Sequence, residues 1–176
     1  MVQAFTILRK KYLWSAELYL AGAKESDIRD ALRERQIRVE EVDWQKIHLL
    51  GDLGSEKLTD YYNLCDVFCM PSYFEAYGLV FAEALTYGLP CIGRDKFAMS
   101  EFIEDGCTGR LISGEDAEEL ALDLWEVLQD PKYREEVERR GEWYLREYSW
   151  DKVAQRICSV MEKNERDKDQ YRSAGV

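Results

Sequence analysis

The stretch Asp66-Val67-Phe68-Cys69-Met70-Pro71-Ser72-Tyr73-Phe74-Glu75-Ala76-Tyr77-Gly78-Leu79-Val80-Phe81-Ala82-Glu83-Ala84-Leu85 decides the fold class. It opens on an unbroken apolar run that Pro71 stops, the pattern of a strand buried on both faces. A loop follows that holds Glu75. Gly78 then turns the chain into an apolar helix that runs to Tyr87 and ends at Gly88. Upstream, helical spacing over 2–12 precedes a short apolar strand at 17–22. A charged helix over 26–38 leads to a second strand at 46–51 and a helix over 56–63, with Leu58, Tyr61, Tyr62 and Leu64 turned inward. Downstream come a strand at 90–93, one helical turn at 100–104 and a strand at 109–112. Helices over 117–128, 132–148 and 151–163 close the pattern. Short apolar strands alternating with helices specify an α/β fold with a parallel sheet and helices on both faces. In such sheets ligands bind beyond the carboxyl ends of the strands, which points to the loops after Leu20, Leu50, Met70 and Ile92.

Three features of the central stretch bear on chemistry. The helix start near Gly78 offers backbone N–H groups and a positive dipole end, a seat for phosphate. Gly78 has no side chain, so an anion can approach the backbone. Glu83 is a carboxylate inside an otherwise apolar helix and calls for donors, which a pair of sugar hydroxyls would supply. Two acids eight positions apart mean little alone in so acidic a chain. Glu83 paired with an arginine and Glu75 as a solvated loop acid are the plain alternatives.

Composition narrows the field. The 176 residues carry 24 Lys plus Arg against 35 Asp plus Glu, a net charge of −11. That balance argues against a nucleic-acid or anionic-membrane surface. No apolar run reaches the roughly 18–20 residues of a membrane span. Residues 1–20 carry Arg9, Lys10, Lys11 and Glu17, which breaks a signal-peptide pattern. The five cysteines include no Cys-x-x-Cys pair, so neither a disulfide framework nor a zinc site is expected, and a reducing cytoplasm is the simplest compartment. Cys65, Cys69 and Cys91 read as small buried hydrophobes. His48, the single histidine, reads as a structural strand residue.

The ordered set Leu20-Ala21-Gly22, Leu50-Gly51-Asp52-Leu53, Tyr61-Tyr62, Asp66-Val67-Phe68, Glu75 with Glu83, Gly88-Leu89-Pro90, Glu101-Phe102-Ile103, Asp105-Gly106, Gly109 and Tyr148-Ser149-Trp150 resembles the retaining glycosyltransferases of family 4. These are enzymes with two Rossmann-like domains. The resemblance covers residues 4–163 and only the C-terminal, donor-binding domain, the second half of the two-domain (GT-B) fold. It implies a nucleotide-sugar-binding domain over 1–166, with 167–176 as a disordered polar tail. It implies that Glu75 is the catalytic acid facing the donor sugar and that Glu83 binds the ribose hydroxyls. Tyr77, Gly78 and Leu79 would hold sugar and diphosphate through their backbone, with Leu53 and Leu58 beside the base. It implies no metal and no cofactor beyond the nucleotide-sugar substrate, such as a UDP- or GDP-sugar. Core packing is the alternative for Leu58. The family's diphosphate clamp follows a first strand that has no counterpart here. Arg94 and Lys96 are the one basic pair in a suitable loop, with a solvated loop pair as the alternative.

In the Rossmann-like order 3-2-1-4-5-6 the first strand is central. Without it, the strands at 17–21 and 66–70 lose a shared neighbour. The expectation is a piece of a longer protein, inactive alone, that needs its N-terminal domain or a partner chain and self-associates through an unpaired edge. The working location is the cytoplasm, with the inner membrane surface open for a longer protein. The implied reaction is sugar transfer to a hydroxyl acceptor in bacterial polysaccharide, glycan or glycolipid synthesis. A nucleotide-sugar 2-epimerase and a non-catalytic nucleotide- or partner-binding module are the competing readings.

Overall fold

The computed structural model describes the backbone of residues 1–173 and the side-chain surroundings of 1–163. The chain runs α1 (Val2–Lys11), β1 (Leu18–Ala21), α2 (Glu25–Glu34), β2 (Ile47–Gly51), α3 (Ser55–Leu64), β3 (Phe68–Cys69) and α4 (Leu79–Thr86). Then follow β4 (Cys91–Arg94), α5 (Met99–Phe102), β5 (Gly109–Ile112), α6 (Ala117–Gln129), α7 (Lys132–Arg139), α8 (Gly141–Glu147) and α9 (Trp150–Ser173). Two short 3-10 turns, Val39–Glu41 and Trp44–Lys46, join α2 to β2.

Every strand pairing is parallel, as the alternation of strands and helices requires. The strands form two sheets, β1-β2 and β3-β4-β5, and β1 does not pair with β3. The expected first strand therefore has no equivalent among the described residues, and the two flanking strands have not closed on each other. β3 keeps only two ladder residues where the sequence suggests five, because only β4 holds it.

Helices cover both faces and carry the two sheets together. On one face α1 places Val2 and Phe5 against Leu18 and Leu20 of β1 and Ile47 of β2. The same helix places Ala4 and Leu8 against Ile92, Ile112, Leu120 and Leu124, with Val67 and Cys69 at the border. On the other face Tyr62 of α3 packs with Phe81, Leu85, Leu89 and Met99. β4 is buried along its whole length, so it forms the spine of the larger sheet. β5 comes close enough that a Cβ at Gly109 would lie 1.7 Å from the Cys91 carbonyl oxygen.

Several boundaries differ from the sequence pattern. The helix expected to 38 ends at Glu34, where Gln36 adopts a left-handed φ of 58°. The helix expected over 132–148 splits into α7 and α8 at Gly141, the weakest helix former in that run. Leu64, expected to face inward, is 60% exposed at the end of α3. α9 continues through Ser173, so the tail expected to be disordered from 167 has a helical backbone to that point; residues 174–176 lie outside the described residues.

Candidate functional site

The strand–loop–helix stretch folds as a capped turn. The Gly78 amide donates to Glu75 Oε1 at 3.0 Å, so the loop acid closes back on the start of α4. Gly78 has φ 66° and ψ 25°, the left-handed region where glycine is favoured. A Cβ there would also stand 3.1 Å from the Phe102 ring on α5. The amides of Leu79 and Val80 donate to no group among the described residues. The phosphate seat expected around Tyr77, Gly78 and Leu79 is thus partly taken: Glu75 holds the Gly78 N–H, and the next two amides remain available to an anion. Tyr77 and Leu79 are exposed, and the loop also exposes Tyr73 and Phe74.

Glu83 lies one turn into α4. It is exposed on a helix whose neighbouring Ala82 and Ala84 are buried. Its Oε2 accepts from the Tyr62 hydroxyl of α3 at 3.2 Å. Burial first, then the adjacent Glu83 carboxylate, push the Tyr62 phenol well above its ordinary value, so it stays a proton donor. Neither Glu75 nor Glu83 forms an ion pair among the described residues. The arginine-paired alternative for Glu83 therefore does not hold.

The two leucines expected beside a base separate. Leu53 lines an open groove of about 630 Å³ with Leu49, Leu50, Lys57, Asp60, Tyr61 and Leu64. Leu58 turns instead toward the Tyr62–Phe81 cluster, which is the packing alternative. Tyr61 and Tyr62 are consecutive on α3, so one helix gives one tyrosine to the groove and the next to Glu83.

The basic pair after β4 also splits. Lys96 is exposed, whereas Arg94 is 8% exposed and is not a solvated loop residue. Arg94 Nε donates to the Pro71 carbonyl at 3.1 Å and Nη1 to that of Gly114 at 2.9 Å. Its guanidinium lies 4.6 Å from the Tyr73 ring centroid. Tyr73 in turn donates to Glu115 at 2.6 Å and accepts from Arg35 at 3.2 Å. Arg94 is thus a cross-brace that fastens the start of the Glu75 loop to the loop after β5. Phe97 takes a left-handed φ of 55° and meets Phe74 ring to ring at 5.0 Å. The Ala98 amide reaches the Glu75 carbonyl at 3.5 Å.

Sequence reading missed two of these roles. Tyr62 stands 21 positions from Glu83, and only the fold brings them together. Arg94 gave a weak signal, a basic residue directly after a continuous apolar strand. His48 is structural, as expected: its ring stacks on Tyr19 at 4.5 Å and Nε2 meets Glu17 at 2.9 Å.

Parallel strands flanked by helices, with this capped turn at the carboxyl edge of the larger sheet, define the Rossmann-like C-terminal domain of the two-domain glycosyltransferase fold. Residues 1–144 match the family described as Glycosyl transferases group 1, and the chain belongs to that family. It is 32% identical over 98 residues to a D-inositol 3-phosphate glycosyltransferase of Kribbella flavida, a match covering 56% of this chain and 23% of that protein. It is 36% identical over 81 residues to an uncharacterized protein of the cps region of Klebsiella pneumoniae, covering 46% and 23%. Among solved structures, the pneumococcal O-GlcNAc transferase GtfA, crystallised with UDP and GlcNAc, superposes with a TM-score of 0.68 at 25% identity, over 91% of this chain and 32% of that one. The Anabaena protein HepE with UDP superposes at 0.73 and 16% identity, over 92% and 44%; at that identity the likeness concerns the fold. The chain spans about a quarter of the length of the curated relatives it matches.

Proposed function

We propose that this domain binds a nucleotide-activated sugar and, with an acceptor-binding half, transfers the sugar to a hydroxyl with retention at the anomeric carbon. The observation that carries the reading is the turn from β3 to α4. Two carboxylates without cationic partners flank a left-handed glycine and two available helix-start amides. Glu75 faces the sugar and fixes the turn through Gly78. Glu83, oriented by Tyr62, accepts the ribose hydroxyls. The Leu79 and Val80 amides and the dipole of α4 receive the diphosphate, and Leu53 lies beside the base. No metal ion or further cofactor enters this scheme.

GtfA was crystallised with UDP, which supports a nucleoside-diphosphate ligand here. The matches to bacterial glycosyltransferases and to a cps-region protein support a place in bacterial polysaccharide or glycolipid synthesis. Among the described residues no helix is long and apolar enough to cross a membrane. Action in the cytoplasm, at the inner membrane surface for a lipid-linked acceptor, fits the reading. The chain alone is inactive in this scheme, because the acceptor side of the cleft lies on the other half.

Titration calorimetry with UDP, GDP and ADP tests the proposal. One nucleotide binds preferentially, and Glu83→Ala weakens it about tenfold, or about 1.4 kcal/mol. Affinity unchanged by that substitution removes Glu83 from the site and the reading with it.

A further inference from the structure

Among the described residues, two that are not glycine take a left-handed φ: Gln36 at 58° and Phe97 at 55°. Gln36 has an ordinary reason, since it stops α2 and its amide closes on the Arg33 carbonyl. Phe97 ends no helix. A side chain makes this backbone costly, because its Cβ crowds the following carbonyl oxygen, and a bulky residue is an outlier there. The turn nevertheless holds Phe97 in place. Ser100 Oγ donates to its carbonyl at 3.1 Å, and the next amide, of Ala98, reaches the Glu75 carbonyl at 3.5 Å. Burial does not offset the strain. The Phe97 ring is 53% exposed, and its ring partner Phe74 is 68% exposed. Neither belongs to a buried cluster. Glycine would hold this turn at lower cost and lose little packing, so the fold itself gives no reason for a ring here.

The two rings meet at 67° with centroids 5.0 Å apart, so they form a corner rather than a flat patch. The corner stands beside Glu75. Phe74 is the preceding residue, and the Phe97 turn is tied to the Glu75 carbonyl. Glu75 Oε1 holds the Gly78 amide, and Oε2 has no donor among the described residues. Angled apolar faces with an unfilled acceptor at their edge suit a small ligand that is apolar on its faces and hydroxylated on its rim. A pyranose ring has that division, with C–H groups on its faces and hydroxyls around its edge. A hydrocarbon would strip water from the Glu75 oxygen and return no hydrogen bond. A cation is disfavoured by the positive end of α4, which begins at Leu79.

The geometry points to a stacking platform: Phe97 and Phe74 receive the face of a pyranose ring, and Glu75 Oε2 accepts one of its hydroxyls. The strained backbone of Phe97 then has a purpose, since it sets the ring against Phe74 at the edge of the Glu75 loop. The inference rests on the reading of the β3–α4 turn as a sugar site and adds Phe97, from outside that turn, to it. The ring belongs to the donor sugar or to a sugar of the acceptor. The chemistry of stacking is shared, and the measurements separate the two.

The test uses the whole chain with isotopically labelled phenylalanine rings, followed by NMR. The probes are methyl α-glucopyranoside, methyl α-galactopyranoside and methyl α-mannopyranoside. Sorbitol serves as a polyol without a ring and choline as a cation. Loss of signals in Phe74→Leu and Phe97→Gly assigns the two rings. At least one pyranoside shifts both and leaves the buried Phe5 and Phe81 in place, while sorbitol and choline shift neither. Phe97→Gly abolishes the Phe74 shift and raises the urea midpoint, because glycine relieves the left-handed strain. Phe97→Tyr keeps the shift. A ring that served packing would instead lower the midpoint when removed. Calorimetry with UDP-glucose, UDP-galactose and GDP-mannose against UDP and GDP then assigns the source. For a donor sugar, Phe97→Gly lowers the affinity of the nucleotide-sugar about fivefold and that of the bare nucleotide less than about twofold. Unchanged nucleotide-sugar affinity together with the ring shifts assigns the acceptor. The proposal is overturned by unmoved rings with all three pyranosides, by equal shifts with sorbitol or choline, or by a lower urea midpoint in Phe97→Gly. Ring shifts in a chain that binds no nucleotide keep the platform and remove the nucleotide reading; nucleotide binding with unmoved rings does the reverse.

Discussion

Replacing Tyr62 by phenylalanine separates a structural bond from an orienting one. The ring is 5% exposed, stacked 5.5 Å from Tyr87 and edge-on to Phe68, and phenylalanine keeps all of that packing. What is lost is one hydrogen bond to Glu83 Oε2. At 3.2 Å it is long for an O–H donor, and its acceptor is exposed and can turn to water. The stability loss therefore falls at the low end for a single hydrogen bond, about 0.5–1 kcal/mol. The functional loss should match or exceed it. On the proposed reading the Glu83 carboxylate, freed from Tyr62, must be ordered at the moment it receives the ribose, and about 1 kcal/mol of that cost weakens nucleotide binding about fivefold. Urea unfolding and titration calorimetry on the same samples read the two numbers. A stability loss above about 3 kcal/mol would make the bond a buried strut. Unchanged nucleotide affinity, with Glu83→Ala damaging, would show that Tyr62 does not orient the acid.

Gly109→Ala should prevent folding or produce a molten sheet, because its Cβ would sit 1.7 Å from the Cys91 carbonyl oxygen, in backbone that cannot swing aside as a side chain can; loss of near-UV circular dichroism reads it, and a native spectrum contradicts it. Stability should fall in acid. The hydrogen bond from Lys46, then that from His48, hold Glu17 down to about 2, and Arg139 first among several partners does the same for Glu136. Carboxylates depressed below their ordinary 4.5 stabilise above that pH, and the contribution is lost as pH falls from 4.5 toward 2. Asp123 works the other way: burial raises it despite Arg110, so its contribution favours the folded state at low pH and is lost as pH rises through its raised value. Urea midpoints at pH 6 and pH 3 with Glu17→Gln test the sign, and an undiminished acid loss in the variant counts against it.

The elements of this fold were legible because their periods are strong. The unbroken apolar runs at Val67–Met70 and Cys91–Ile92 announced strands buried on both faces; β4 is buried throughout, whereas β3 is only partly buried. Boundaries were less legible where a single residue decides them. Gln36 ends α2 by taking a left-handed φ that glutamine does not advertise. Gly141 breaks a helix whose flanking residues all favour continuing it. In the candidate site, the local pieces were visible: an acid before a glycine and an acid inside an apolar helix. The partners were not, because they are tertiary. Nothing near Glu83 in the chain points to Tyr62, and nothing near Arg94 points to the carbonyls of Pro71 and Gly114. Glu75 also corrected a simple idea, since the acid next to a helix start can cap that start itself.

The split sheet bears on how the site is held. Glu75, Gly78 and Glu83 hang on β3, α4 and the Arg94 brace, all within the larger sheet and its cover. Leu53 and its groove hang on β2, in the smaller sheet. Among the described residues, elements that span both parts hold them in relation: α1 on one face, α3 on the other, and the Arg35–Tyr73–Glu115 link at the carboxyl edge. Side-chain packing of two helices positions sheets less rigidly than a continuous backbone ladder, because each ladder bond fixes backbone groups directly. A ligand that touches both the groove and the capped turn must bridge that joint. On the proposed reading the base end and the sugar end of a nucleotide-sugar would do so, and the packing of α1 and α3 would then set how the two ends line up.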